Sequence, residues 1–147
     1  MYKLISAKYD SETMASIVTI GTDLGIFEGI VTIREEDVPY ASRYFGCELA
    51  ELKAYINYAK AKMKYYRAQK KALADFFKTM KDTRTWDAEA YYVYQLDRHI
   101  QEVNDNYHKW KRIVNQCNDS YHKLVLDRDK ANLLLKKFSK VRENNNA

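Results

Sequence analysis

The chain has 147 residues, a net charge of +5 and an unusual thirteen tyrosines. That length suits one domain with a sizeable core. Two cysteines outside any C-x-x-C pair argue against a disulfide scaffold or zinc ribbon and fit a reducing cytoplasm; no stretch approaches the ~18 apolar residues of a membrane span, and "MYKLISAKYD" lacks the basic and apolar regions of a secretory signal.

The first third reads as strands. "YKLISAKY" (2–9) is a first strand and "DSET" (10–13) a turn cluster. "MASIVTI" (14–20) is a second strand, "GTDLG" (21–25) a turn and "IFEGIVTI" (26–33) a third strand. The connections are too short for crossovers, so the economical arrangement is an antiparallel meander. In the third strand Phe27, Val31 and Ile33 share one face, and Ile26, Glu28, Ile30 and Thr32 the other. Gly29 within it signals a bulge or a close backbone approach. Asp37 is expected to cap a short helix with Pro39 in its first turn and Gly46 as its stop.

Beyond Gly46 there is neither Gly nor Pro, which predicts long helices. Apolar residues recur at Leu49, Leu52, Ile56, Ala59, Met63 and Tyr66, then Leu73, Phe77 and Met80, with Lys70 the one polar member. Steps of three and four sustained this long make a heptad seam. "KDTRTWD" (81–87) interrupts it, with Thr85 as the next cap. A second seam runs through Val93, Leu96, Ile100, Val103, Tyr107, Trp110, Val114, Cys117, Tyr121 and Leu124 to Ala131, Leu135 and Phe138, with Arg128 its only charged member. Its phase does not slip at Asn118–Ser120, so one helix over about 86–141 is favoured over a break there.

The expected fold is therefore α+β: a three-stranded antiparallel sheet with a short connecting helix (1–45), then a long antiparallel helical hairpin of coiled-coil type (46–147), forming one structural domain. The short loop would set Met80 against Trp86 and bring Leu49 near Cys117. The second helix would overhang the first, leaving Leu124, Ala131, Leu135 and Phe138 to be covered by the sheet and by a second copy in a homodimer.

Catalytic and metal signatures are weak. His99, His108 and His122 have no ligand spacing, and His108 and His122 lie ~21 Å apart along a helix. Cys117 occupies a seam position and reads as a small hydrophobe. Glu35-Glu36-Asp37 reads as an acidic complement to a helix N-terminus. No phosphate loop, serine elbow or catalytic Cys/His pair is present. The expectation is a protein that binds rather than catalyses, with no cofactor and no metal.

The charge is unevenly spread. Residues 1–45 carry four basic and seven acidic groups; residues 46–82 carry nine and four. On a helical projection Lys53, Lys60, Lys64, Arg67 and Lys71 fall on one flank of the first seam. Tyr55, Tyr58 and Tyr65, with Lys62, fall on the opposite flank. A single-strand stacking platform needs aromatics and cations together, and here they are separated. The cationic flank suits a nucleic-acid backbone or an acidic protein surface; plain solvation is the competing reading. The tyrosine flank suits a third packed element or a subunit interface.

"GIFEGIVTIREED" followed by "SRYFGCELAELKA" resembles small accessory proteins of phages and prophages of low-GC bacteria, in which a G-x-F-x-G strand, an acidic turn and a G-x-x-L-A-E-x-K/R-A helix start occur together. The resemblance covers about residues 25–54, and its residues look structural. It implies a context: a cytoplasmic protein of an infected or lysogenic host that binds and disables a host machine, such as a CRISPR effector. The alternatives are a DNA- or RNA-binding phage protein and a coiled-coil assembly protein.

Overall fold

The computed structural model describes residues 2–40, 43–82 and 90–146. Three strands, β1 (Lys3–Asp10), β2 (Ala15–Thr22) and β3 (Gly25–Thr32), form an antiparallel sheet in the order β1-β2-β3. A short 3-10 helix (Glu35–Tyr40) follows, then two long helices, α1 (Arg43–Asp82) and α2 (Ala90–Asn146). The expected α+β order is thus the observed one. The cap at Thr85 and the apposition of Met80 and Trp86 lie outside the described residues.

The turns form for local reasons. Asp10 accepts a hydrogen bond from the Glu12 N–H at 3.0 Å, and Met14 takes a positive φ of 53° to close the first hairpin. Thr22 donates its hydroxyl to the Gly25 carbonyl at 2.8 Å and accepts from the Leu24 N–H at 3.2 Å. Gly25 itself has φ 114°, a conformation in which side chains are strained.

The chain divides into two compact units: residues 1–58 with 115–147, and residues 59–114. In the first, one sheet face carries buried Ser16, Val18 and Ile20 of β2 with Val31 of β3. Ile26, Glu28, Ile30 and Thr32 lie on the open face, as the alternation of β3 requires.

Helix α1 meets the sheet along a row the heptad reading did not identify. Gly46, Ala50, Ala54 and Tyr58 repeat every four residues, and all are buried. A Cβ on Gly29 would lie 1.8 Å from the Ala50 carbonyl oxygen and 2.6 Å from the Ala54 nitrogen. The expected peculiarity at Gly29 is therefore a close backbone approach: the helix crosses the strand where neither has a bulky side chain. Gly46 serves the same end, since a Cβ there would lie 2.3 Å from the Ser16 hydroxyl.

Two expectations are corrected. Gly46 does not stop a helix; it lies in the first turn of α1, where close contact with Ser16 needs a residue without a side chain. Asp37 does not cap the short helix, which begins at Glu35; its carboxylate instead accepts a hydrogen bond from Lys136 of α2.

In the second unit Val103 and Val114 of α2 and Ala59 of α1 are buried. The Lys62 ammonium lies 5.8 Å from the Trp110 ring and 6.0 Å from the Tyr66 ring, so the two helical segments run side by side there. Helix α2 continues unbroken through Asn118–Ser120 and on to Asn146.

Candidate functional site

The cationic flank belongs to the second unit. Lys60, Lys64, Arg67 and Lys71 are all exposed, at successive steps of four, three and four residues along α1. Such steps separate neighbouring groups by ~5–6 Å. That is shorter than the ~8 Å Debye length at physiological salt, so neighbouring cations act together, and the row presents a line of positive charge ~16 Å long. None of them has a carboxylate partner among the described residues. Lys70, the odd member of the seam, is also exposed.

Lys53 leaves this group. Its ammonium donates to the Ile30 carbonyl of β3 at 3.1 Å, beside Asn57, whose amide donates to the Glu28 carbonyl, also at 3.1 Å. Both side chains satisfy backbone oxygens along an edge strand.

The three tyrosines placed together by the projection have separate fates. Tyr58 is only 2% exposed, donates its hydroxyl to Asp23 at 2.5 Å and packs edge-on against Phe27. It is a core residue under the second hairpin and is removed from the subunit-interface reading. Tyr55 is half-buried between Tyr2 and Tyr58, with ring centroids 5.3 and 5.9 Å away. Burial, and then the neighbouring Cys117 thiol, raise its pKa. For these two the sheet is the third packed element. Tyr65 remains exposed and accepts a hydrogen bond from Gln69 at 2.7 Å.

Of the apolar residues on the expected overhang, Leu124 is half-buried and borders an open groove with Tyr2, Tyr55 and Cys117. Leu135 and Phe138 stay exposed, Phe138 at 71%. Leu134 and Val141, which the seam did not include, are exposed with them. Leu134, Phe138 and Val141 lie at steps of four and three, a second apolar stripe on α2. Repetition of the heptad beyond Leu124 could have revealed it, because two seams overlap in "ANLLLKKFSKV".

The groups that could support chemistry are dispersed. Among the described residues no cluster of three His, Cys, Asp or Glu side chains could hold a metal. His99 lies 3.9 Å from the Glu102 carboxylate, which also faces Arg98, and His108 and His122 stand edge-on to Tyr107 and Tyr121. Both cysteines are free and half-buried, and burial pushes the Cys117 thiol above its ordinary pKa, away from thiolate reactivity. The Lys136 hydrogen bond holds Asp37 below the usual carboxylate range. Among the described residues no helix is long and apolar enough to cross a membrane.

The positions of the G-x-F-x-G and G-x-x-L-A-E-x-K/R-A patterns hold the first unit together. Gly29 and Ala50 meet, Phe27 packs on Tyr58, Leu49 is fully buried, and Glu51 accepts the Tyr2 hydroxyl at 2.7 Å. Comparison of the chain with protein families, with curated proteins and with solved structures finds no match.

Proposed function

We propose that the chain is a non-enzymatic binding protein that engages a polyanionic target through Lys60, Lys64, Arg67 and Lys71. The observation that carries this reading is a row of four exposed cations, each within electrostatic reach of the next, without a carboxylate partner among the described residues. Such a row raises the rate of encounter with an anion and adds contacts to successive charges along it.

The resemblance of residues 25–54 to phage accessory proteins supplies the biological context: inhibition of a host nucleic-acid-handling complex, with a CRISPR effector as the leading target. The aromatic groups support a nucleoprotein over naked single strands. Tyr55 and Tyr58 are packed against the sheet and give no stacking platform beside the cations.

The test is charge reversal of all four residues to Glu, with binding to a candidate effector measured over a salt series. Binding by the parent chain should weaken steeply with salt, and the variant should lose it. Equal binding by both would contradict the assignment.

A second reading, assembly through a second copy of the chain, draws on a different observation. Leu134, Phe138 and Val141 expose a contiguous apolar stripe of a kind usually covered. The two readings are compatible, since the cations and the stripe belong to different units.

A further inference from the structure

Helix α2 carries, near its end, a second cationic segment separate from the flank of α1. From Lys130 to Arg142 it reads "KANLLLKKFSKVR", with five Lys or Arg and no Asp or Glu. At ~100° per residue, Leu134, Phe138 and Val141 fall within an arc of ~60°, and Asn132 and Lys136 fall on the opposite side. Asn132 is buried beside the end of β3, and Lys136 donates to Asp37. These two contacts fix the side of α2 that faces the rest of its unit, so the stripe points away from it. Each of its three members is more than half exposed.

Cations border the stripe on both sides. Lys130 and Lys137 follow one edge and Arg142 the other, each within ~75° of its centre. These three, and Lys140 farther round the helix, are exposed and have no carboxylate partner among the described residues. The nearest acid in the direction of the stripe is Asp127, about two turns before Leu134. The arrangement discriminates among occupants. A second copy laid stripe against stripe would bring cationic edge to cationic edge, a costly juxtaposition. A soluble polyanion would meet the cations and leave the three apolar side chains in water. A bilayer surface containing anionic lipid meets both: the apolar groups enter the acyl boundary while the charges stay among the phosphates. Lys and Arg suit the edges, because their stems lie along apolar surface while their heads stay in water.

We infer that residues 130–142 of α2 dock on the surface of a bilayer containing anionic lipid, as an interfacial helix. The segment is ~20 Å long and lies along the surface rather than across it; among the described residues no helix is long and apolar enough to cross a membrane. Leu134 and Phe138 are the anchors, and Val141 extends them by a turn. So small an apolar contact binds only with the help of anionic headgroups, which makes the docking reversible and sensitive to salt.

The test uses the full chain, sedimented with vesicles of phosphatidylcholine alone or with about a third phosphatidylglycerol. The anionic vesicles should bind at least about tenfold more tightly, and added salt should weaken that binding. Leu134→Ser with Phe138→Ser should reduce it at least about tenfold; both positions are exposed, and a thermal melt checks the fold. K130Q/K137Q/R142Q should reduce it through the charge. Neutralising the other row, as K60Q/K64Q/R67Q/K71Q, should leave vesicle binding within about threefold of the parent chain's. Equal binding of the two vesicles would overturn the proposal. So would undiminished binding by the folded Leu134→Ser, Phe138→Ser variant, which would leave charge alone and a soluble polyanion as the occupant. A lipid-free dimer that ignores the vesicles would give the stripe to a second copy, and loss of vesicle binding in the α1 variant alone would move the contact to α1; either result also overturns it. None of these measurements involves a host effector, so this proposal and that for the cations of α1 fail separately.

Discussion

Gly29 has no room for a methyl group, because the Ala50 carbonyl occupies the place where its Cβ would be. Gly29→Ala should therefore force α1 off the sheet and cost about 3 kcal/mol or more, at the upper end of overpacking; a urea melt of the variant checks this. Ser16 tests the same contact from the other side. Its hydroxyl is buried without a partner, so Ser16→Ala should raise Tm slightly. Gly46→Ala should lower Tm, and adding Ser16→Ala should restore part of the loss, since the Ser16 oxygen lies nearest the new methyl group. Tyr2 gives a pH readout. Burial first, and then its hydrogen bond to Glu51, push its pKa up to about 12. A phenol raised from 10.0 stays neutral in the folded state while the unfolded chain ionises. Stability is thus fully present below pH 10 and falls as pH rises toward 12. Tyr2→Phe should flatten that alkaline loss in a Tm-versus-pH series. Asp37 acts with the opposite sign: its depressed pKa favours the folded state at neutral pH, and that contribution is lost on acidification below the usual carboxylate range.

Among the elements, the strands and helices were legible because their periods are clean. Alternation in β3 marks its two faces, and the unbroken heptad phase carries α2 through Asn118–Ser120. The contact between α1 and the sheet was less legible. The apolar seam through Leu49, Leu52 and Ile56 attracts attention, whereas the sheet-facing row is mostly Gly and Ala, which carry little hydropathy signal. Small residues four apart, opposite a strand glycine, were the available cue. The same row ends in Tyr58, which explains why a helical projection alone assigned that tyrosine to an interface: the projection gives its direction but not what lies there. Lys53 was misplaced for a related reason, since only the fold reveals the β3 carbonyl it reaches. The four remaining cations were readable from spacing alone. On a duplex, each phosphate contact adds about −0.9 to the slope of log affinity against log salt. Reversing the row should remove a slope of roughly −3 to −4 if all four engage.

Along the whole chain the first third is acidic and the helices are basic, and α2 ends in an exposed apolar stripe. If Leu134, Phe138 and Val141 form a dimer interface, sedimentation should show concentration-dependent association, and Phe138→Glu should shift it to monomer without unfolding an exposed position. Unchanged mass across concentrations would leave the stripe to a different partner and end the dimer reading. Affinity capture from a bacterial lysate tests whether the four cations engage a partner. The parent chain and the K60E/K64E/R67E/K71E variant would be compared with and without nuclease. A large nucleoprotein retained by the parent chain after nuclease, and lost by the variant, is the predicted result. The same partners captured by both proteins would contradict it.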